Sequence, residues 1–349
     1  GGGGGGGTRG QKQKQKQKRF AASSQVDPSL LNFFGNKLVG FTGDPVDPEE
    51  LGLGFTCRKG LKQESPNQDS WMVLSVAKAF SLYGVFDGHG PGGHEVSHFV
   101  KEELPKAIIA DSRFRTSSMP AMLRDSFHSM QRLVAAADKS HLLEAQSSGT
   151  TCTICVHDHS QKKITIAHVA DSTCVLGQYE DPVKRDKLVG YALTRDHKPN
   201  LKDEKARIEK AGGRVIHDGF SNHRVYAASG SYPGLNMSRC LGDLVAHSCA
   251  GCTCEPEVVE RKLKPEDQLL LLCSDGVWEY VTPQEAVDLV GLGGPGEAMA
   301  SADRLAKLAW DRWLIEEGGL VVDDITALVV YLQHQQQHQP HQAGRPLRK

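Results

Sequence analysis

Short runs of hydrophobic residues, separated by turn residues, dominate the chain between about residues 50 and 333. The β-branched and aromatic residues in these runs predict strands. SWMVLSVA and SLYGVF lie so close together in the sequence that we expect them to pair. The other predicted strands are GTTCTICVHD, KITIAHVAD, TCVLGQY, QLLLLCSDGVWEYV and DDITALVVYL.

Other segments have the spacing of an α-helix. The apolar residues Leu123, Phe127, Met130 and Val134 recur at intervals of three and four, which predicts a helix over about 119–145. Further helices are predicted over about 93–110, 201–211 and 298–316, with one more that begins at the capping box TPQE.

The order of these elements indicates the fold class. Helices come as a central pair and a late pair, with blocks of strands between them, and strict strand–helix alternation is absent. This order favours an α+β protein in which helices pack outside antiparallel sheets, rather than a doubly wound parallel sheet.

The two ends of the chain lack this patterning. Seven glycines are followed by TRGQKQKQKQKRF, which is basic and of low complexity, and the last residues are rich in Gln and His. We therefore predict a tail and lead-in over residues 1–50, one domain over 51–333 and a disordered tail over 334–349. The basic tail could tether the protein electrostatically, but a solvated tail is the favoured interpretation.

Charge and cysteine content narrow the classes of function. The chain has 41 Lys and Arg against 42 Asp and Glu, so we expect no nucleic-acid partner. No apolar run is long enough to span a membrane. Nine scattered cysteines favour free thiols in a reducing compartment, the cytoplasm or the nucleus. Because no coiled-coil pattern is present, we expect a monomer.

Aspartates recur at the ends of the predicted strands. In LYGVFDGHG, an Asp-Gly hairpin turn is one interpretation, and a strand that delivers a carboxylate to the rim of a sheet is the other. Any one of these aspartates could be only a turn former. Their recurrence predicts one sheet edge that gathers carboxylates, namely those of Asp69, Asp87, Asp171, Asp275 and Asp323.

A cluster of carboxylates requires a compensating cation. Oxygen ligands without neighbouring His or Cys ligands suit Mg²⁺ or Mn²⁺. Two such ions can activate a water molecule and hold a phosphoryl group for in-line attack. Gly88 would allow its backbone to approach an ion closely, and His89 would be placed to give a proton to a leaving oxygen.

Eight motifs occur in the order found in one known family. They are VFDGHGPGG, SSGTT, AHVADSTCVLG, LTRDHKPN, RIEKAGGRV, LNMSRCLGD, LLLLCSDGVWEYV and DDITALVVY. Over about residues 53–332 the chain resembles the PPM family, the metal-dependent protein Ser/Thr phosphatases of type 2C. The resemblance implies a central sandwich of two antiparallel β-sheets flanked by helices. It also implies a catalytic domain that uses two Mg²⁺ or Mn²⁺ ions to hydrolyse phosphoserine and phosphothreonine in phosphoprotein substrates, without a phosphoenzyme.

The resemblance also implies the metal ligands. Asp87 would bridge the two metals, and the carbonyl group of Gly88 would bind one of them. Asp275 and Asp323 would bind the first metal directly. Asp69 would act close to the centre through water.

Three further roles follow from the same resemblance. His89 matches the proposed general acid. Asp171 matches the position linked to a third, weaker metal, and Glu279, where the family usually has Asp, would support that site.

The chain departs from the family where substrate phosphate binds. Glu64 stands where much of the family has a phosphate-binding Arg, and Gln68 stands where Glu is usual. Lys62 or Arg58 could take over phosphate binding. The metals could also bind the phosphate by themselves. The alternative function is that of a catalytically weak relative that binds phosphoproteins as a scaffold or regulator. A different metallohydrolase such as a nuclease is disfavoured by the near-neutral charge.

Two further segments carry predictions. In HSCAGCTCEP, Cys249, Cys252 and Cys254 together with His247 could form a zinc site or a redox-sensitive cluster, although free loop thiols are the favoured interpretation. Residues 207–233 match the variable flap beside the family's active site, and we expect an adaptable loop there that contacts protein substrates.

Overall fold

A computed structural model of the protein describes residues 17–25, 35–62, 66–220 and 222–332. The Gln/His-rich tail, most of the glycine-rich and basic tail, and Glu64 lie outside these described residues. No helix within the described part of the chain combines the length and the apolar character needed to cross a bilayer.

The described residues contain seventeen strands, seven α-helices and two short 3₁₀ helices. The strands are β1 (Arg19–Gln25), β2 (Leu38–Gly43), β3 (Leu53–Arg58), β4 (Asp69–Val76), β5 (Phe80–His89), β6 (Gly149–Thr150), β7 (Cys152–Asp158), β8 (Lys163–Val169), β9 (Thr173–Tyr179), β10 (Leu188–Ala192), β11 (Arg214–His217), β12 (His223–Tyr226), β13 (Pro233–Leu235), β14 (Leu241–Gly242), β15 (Glu257–Lys262), β16 (Asp267–Cys273) and β17 (Ile325–Tyr331). The helices are α1 (Gly93–Ala110), α2 (Met119–Lys139), α3 (Lys202–Lys210), α4 (Leu244–Cys249), α5 (Asp275–Trp278), α6 (Pro283–Gly291) and α7 (Ala298–Glu316), and the 3₁₀ helices are Pro48–Leu51 and Pro295–Glu297.

Two antiparallel sheets form the centre of the fold. The first has the strand order β15-β8-β7-β5-β4-β1-β2, with β6 and β14 attached at the end of β5. The second has the order β10-β9-β16-β17-β3. A separate small sheet has the order β11-β12-β13.

Buried side chains divide the protein into four layers. Phe127 of α2 and Phe86 of β5 belong to the core that joins the helix pair α1 and α2 to the first sheet. Trp71 of β4 and Leu270 of β16 belong to the core between the two sheets. Leu305 of α7 belongs to the core between the second sheet and the late helices. This arrangement confirms the predicted α+β sandwich flanked by helices.

Most predicted elements are present, and several bounds differ. The helix predicted over about 119–145 ends at Lys139, because the chain turns through Ser140 and His141, whose φ is +57°. The strand that contains Asp87 continues to His89. Asp87 and Gly88 therefore lie inside a strand, and the hairpin-turn interpretation is wrong.

Strands also occur where none was predicted. β1 and β2 precede residue 51, and β1 pairs with β4, so part of the predicted tail and lead-in contributes to the first sheet. The segment 207–233, expected to be a loop, contains β11, β12 and the start of β13. Within this segment, Val225 is fully buried.

We expect the core between the sheets to dominate stability. Leu270 is fully buried there, so Leu270→Ala should lower the free energy of unfolding by about 2–5 kcal/mol. The matched control is Leu292→Ala, because Leu292 is 84% exposed and its removal should change stability by no more than about 0.5 kcal/mol. Denaturant unfolding of both variants measures the difference, and equal losses would contradict this account of the core.

Candidate active site

Two aspartates of the first sheet lie directly opposite each other. Asp69 begins β4, and Asp87 is its partner near the end of β5. Side chains two residues apart in a strand share a face. Because Trp71 and Val85 belong to the core between the sheets, Asp69 and Asp87 lie on the face turned toward the second sheet.

The second sheet brings two more aspartates to the same end of the sandwich. β16 and β17 are antiparallel neighbours, with Cys273 opposite Ala327. Asp275 therefore follows the end of one strand at the edge where Asp323 precedes the start of the other. Antiparallel pairing thus explains why residues far apart in sequence meet.

Ser274 links the two sheets at this end. Its hydroxyl donates a hydrogen bond of 2.8 Å to Oδ2 of Asp69, and its Oγ accepts one of 3.0 Å from the backbone N–H of Thr326. The other carboxylate oxygen, Asp69 Oδ1, and the nearby Thr326 Oγ1 are both buried without a partner at hydrogen-bonding geometry among the described residues.

The pKa values of three of these carboxyl groups, those of Asp69, Asp87 and Asp275, are raised because the groups lie close together and are partly shielded from water. Burial and the charge of Asp69 raise the pKa of Asp87, and burial and the charge of Asp323 raise the pKa of Asp275 to about 8. A hydrogen bond joins the carboxyl groups of Asp87 and Asp275, which requires a proton on one of them. Burial and the charge of Asp324 raise the pKa of Asp69 to about 7.

Asp324 anchors the loops beside the cluster. Its Oδ1 accepts a hydrogen bond of 2.8 Å from the backbone N–H of Gly60, and its Oδ2 accepts one of 2.7 Å from that of Gln68. Lys59 Nζ lies 3.5 Å from Oδ1. Gln68 itself donates from its side chain to the carbonyl group of Gly90 at 2.6 Å.

The two cations considered for phosphate binding occupy different places. Lys62 Nζ donates a hydrogen bond of 2.5 Å to Oδ1 of Asp323, so it lies at the edge of the carboxylate cluster. Arg58 is instead paired with Asp303 of α7 at 3.2 Å. The structure therefore brings Lys62 but not the guanidinium group of Arg58 to the cluster.

Asp171 follows β8 and is paired with a cation. Lys198 Nζ donates to Oδ2 of Asp171. The charge of Asp171 also contributes to the raised pKa of Asp275, after burial and Asp323, so it lies near the cluster. Glu279 is exposed, and its backbone N–H donates to the carbonyl group of Asp275 at 2.8 Å.

His89 forms a short pair with Asp243. Nε2 of His89 lies 2.6 Å from Oδ2 of Asp243, and Nδ1 is buried without a hydrogen-bond partner among the described residues. Burial lowers the pKa of His89, but the charge of Asp243 and the hydrogen bond to it raise the pKa, and the net change is an increase. Gly149 is required beside this pair, because an added Cβ would lie 2.1 Å from Asp243 Oδ2.

Sequence reasoning assigned no role to Asp243. Its backbone has φ +44°, in the left-handed region that non-glycine residues seldom adopt. Asp243 ends the motif LNMSRCLGD, but no spacing or periodicity in the sequence links it to His89.

Gly88 is also required by the packing. A Cβ there would lie 2.2 Å from the carbonyl oxygen of Gly93 and 2.7 Å from that of Gln68. The backbone of β5 therefore passes close to both segments, which is a packing reason for glycine at this position.

The cysteines of HSCAGCTCEP do not converge on one another. Cys249 is exposed and donates from Sγ to the carbonyl group of Val245 at 3.0 Å, whereas Cys254 is buried beside His128. Cys252 packs in a separate buried cluster. All nine cysteines are free thiols, which agrees with the favoured interpretation.

Comparisons with known proteins identify the family. The family model described as Protein phosphatase 2C matches residues 55–312. Probable protein phosphatase 2C 34 of Arabidopsis thaliana is 33% identical over 291 residues, which cover 78% of this chain and 78% of that protein. Probable protein phosphatase 2C 61 of the same plant is 32% identical over 312 residues, covering 86% of this chain and 90% of that protein.

Solved structures share the fold. The serine-threonine phosphatase 2C from Toxoplasma gondii superposes with a TM-score of 0.68 at 20% identity, covering 80% of this chain and 94% of that chain. A C. elegans sex determining protein superposes with a TM-score of 0.66 at 23% identity, covering 84% of this chain and 67% of that chain. With the family match over most of the chain, the protein belongs to the protein phosphatase 2C family, whose members are metal-dependent, and it is a protein serine/threonine phosphatase.

Proposed function

We propose that the chain hydrolyses phosphoserine and phosphothreonine in proteins at a centre for two Mg²⁺ or Mn²⁺ ions. The ligands would be Asp87, the carbonyl group of Gly88, Asp275 and Asp323, with Asp69 acting through water. The observation that carries the proposal is the meeting of carboxylates from both sheets at one end of the sandwich.

The residues present fit such ions. The pKa values of Asp87 and Asp275 are raised because neighbouring carboxylates repel one another, and a bound cation would reduce this repulsion as protons do in its absence. The donors are oxygen atoms, which Mg²⁺ and Mn²⁺ prefer. Asp69 lies directly opposite Asp87 and is fully buried, so its carboxylate would reach the ions through water.

Two ions bound here would lower the pKa of a water molecule and neutralise the phosphoryl oxygens. The chain's own residues orient this chemistry. Asp87 would contribute its carboxylate from the end of β5, between the sheets, and Asp275 and Asp323 would contribute theirs from the second sheet. Ser274 fixes the carboxylate of Asp69 through its hydroxyl.

His89 would donate a proton to the leaving serine or threonine oxygen. Asp243 holds the imidazole through Nε2 and favours its protonated form, because the carboxylate charge raises the pKa of His89. In the protonated ring Nδ1 would carry the second N–H, and this proton would go to the leaving oxygen, because Nε2 is held by Asp243.

Lys62 is the better candidate for substrate phosphate. Its ammonium group contacts Asp323, whereas Arg58 is held by Asp303. Asp171 would hold a third, weaker metal once its partner Lys198 moves aside, and Glu279 would support that metal from the end of α5.

We further propose that the protein acts as a monomer in the cytoplasm or nucleus. Its nine free cysteines, eight of them buried, suit a reducing compartment. Its partners would be phosphoprotein substrates.

The first prediction concerns the bridging ligand. With Mn²⁺, the protein should hydrolyse an aryl phosphate, and EDTA should abolish the activity. Asp87→Ala should lower kcat at least about 1,000-fold, because metal-bound charge stabilisation contributes several kcal/mol to the transition state. Asp311→Asn, on the exposed side of α7, is the control and should keep full activity. Equal background rates for the native chain and Asp87→Ala would instead favour the scaffold alternative.

The second prediction concerns the proton donor. His89→Ala should lower kcat on a phosphoserine peptide about 100-fold or more, since general acid catalysis has this magnitude. An aryl phosphate has a better leaving group and depends less on a proton donor. The decrease of kcat on this substrate should therefore be about tenfold smaller. Asp243→Asn should reproduce the same selective loss more weakly, because the imidazole remains but its acceptor charge is gone. Steady-state kinetics on both substrates measure the contrast, and equal losses would contradict a proton-donating role.

The third prediction concerns pH. In metal-free protein, Asp69 and Asp275 have folded-state pKa values of about 7 and about 8, above their usual 3.8. Between the usual pKa and the raised pKa, the folded state binds more protons than the unfolded state. The free energy of unfolding should therefore fall as pH rises from about 5 to about 8. Mg²⁺ should raise Tm more at the upper pH than at the lower.

Thermal unfolding with and without Mg²⁺ measures this effect. The double variant Asp69→Asn, Asp275→Asn is the control, because it cannot titrate at these positions and should show a flatter dependence of metal-free stability on pH. A Mg²⁺-induced Tm increase that is the same at both pH values would count against the carboxylate cluster as the binding site.

A further inference from the structure

A second group of potential ligands lies at the edge of the first sheet, outside the carboxylate cluster. His168 of β8 is directly opposite Glu257 of β15. His197 stacks on His168, with ring centroids 4.6 Å apart and an angle of 11° between the planes. Nε2 of His168 and Nε2 of His197 lie 3.8 Å and 3.7 Å from Oε2 of Glu257.

Both histidines are buried without hydrogen bonds. Their side chains are 1% and 0% exposed, and all four ring nitrogens lack a partner among the described residues. Buried polar groups in folded proteins are nearly always paired, so four such atoms at one place need an explanation. A bound ion would supply the missing partner for one nitrogen of each ring.

The histidines are in the protonation state that binds metal. Burial lowers the pKa of His168 to about 4, and burial together with the neighbouring His168 lowers the pKa of His197. Both rings are therefore neutral at physiological pH, and a neutral imidazole is a metal ligand that a protonated one cannot be.

We propose that His168, His197 and Glu257 bind one divalent transition-metal ion of the zinc class. Their ligand atoms all lie within 4.8 Å of one another, so small side-chain movements would bring them around a single ion. Two imidazoles and one carboxylate form a set that zinc accepts, with a water molecule at the fourth position. Glu257 is 29% exposed and provides the route of entry.

The surrounding charges leave one carboxylate oxygen for the ion. Arg195 donates from Nε to Oε1 of Glu257 at 2.9 Å, so Oε2 is the oxygen that faces the histidines. Such a hydrogen bond orients a ligating carboxylate. Arg195 also pairs with Asp203, and Arg207 and Arg239 pair with Glu204, while no arginine of the described residues donates a hydrogen bond to Oε2 of Glu257.

An alternative group of acids nearby does not suit an ion. Asp203, Glu204 and Glu257 also have oxygens within 4.8 Å of one another. That space is already filled by guanidinium groups, since Arg195 pairs with Asp203 at 2.5 Å and Arg239 pairs with Glu204 at 2.5 Å. The unpaired imidazoles therefore distinguish the histidine-containing group.

An ion at this site would join two segments that reach the carboxylate cluster. His168 precedes Asp171 by three residues, and His197 immediately precedes Lys198, the partner of Asp171. The backbone N–H of His197 also donates to the carbonyl group of Ala170 at 3.0 Å. The ion would fix the position of residues 197–198 relative to the end of β8.

The test compares the full chain with three variants. Metal-stripped protein is incubated with excess Mg²⁺ to occupy hard-oxygen sites, and Zn²⁺ binding is then measured by calorimetry. Co²⁺ serves as a second probe, because its absorption spectrum reports nitrogen ligands in a four-coordinate site. The variants are His168→Asn, Glu257→Gln and the control His157→Asn. His157 is equally buried and also has two unpartnered ring nitrogens, but it belongs to neither group of potential ligands.

The native chain and His157→Asn should each bind one Zn²⁺, and their Co²⁺ spectra should match. His168→Asn and Glu257→Gln should bind Zn²⁺ at least about 100-fold more weakly, since even outer-shell changes cost 10–100-fold. Equal Zn²⁺ binding by all four proteins would overturn the proposal, as would the lack of a nitrogen-bound Co²⁺ spectrum in the native chain.

A crystal of the native chain grown with Zn²⁺ makes the test independent of whether the variants fold. Anomalous scattering at the zinc edge should give a peak between His168, His197 and Glu257. A crystal with zinc only at the carboxylate cluster, or with no peak between these three residues, would also overturn the proposal.

Discussion

Electrostatic repulsion among partly buried carboxylates is the constraint on which the proposed metal centre depends. The first sheet contributes Asp69 and Asp87, and the second contributes Asp275 and Asp323. Neither sheet alone holds the whole set, so the charges meet only when the sandwich is assembled. Without a cation, protons and the ammonium group of Lys62 take up part of the charge, as the raised pKa of Asp87 and the contact with Asp323 indicate.

Much of the fold and the position of the carboxylates could be predicted from the sequence. The helices over 93–110 and 298–316 have the bounds that were expected, because apolar spacing and turn residues mark both ends. Aspartates at the ends of strongly apolar strands indicated a shared edge, because neighbouring strands of a sheet end together. The predicted family is confirmed by the match over residues 55–312.

Contacts between distant segments could not be predicted in the same way. Asp243 lies 154 residues from His89, and no periodic pattern connects them. Lys198 and Glu257 likewise depend on which loop and strand pack together. β1 has the sequence RFAASSQ, whose short polar side chains hide its alternation, and its place in the sheet is set by pairing with β4 rather than by its own composition.

The hydroxyl of Ser274 has a consequence for how the enzyme tolerates change. Because this side chain contacts Asp69 of one sheet while its backbone belongs to the other, the spacing of the acids is tied to the thickness of the hydrophobic layer between the sheets. A substitution deep in that layer, far from any reacting atom, would widen or narrow the gap between the two halves of the centre. Selection on catalysis would then act on interior side-chain volume as well as on the acids themselves.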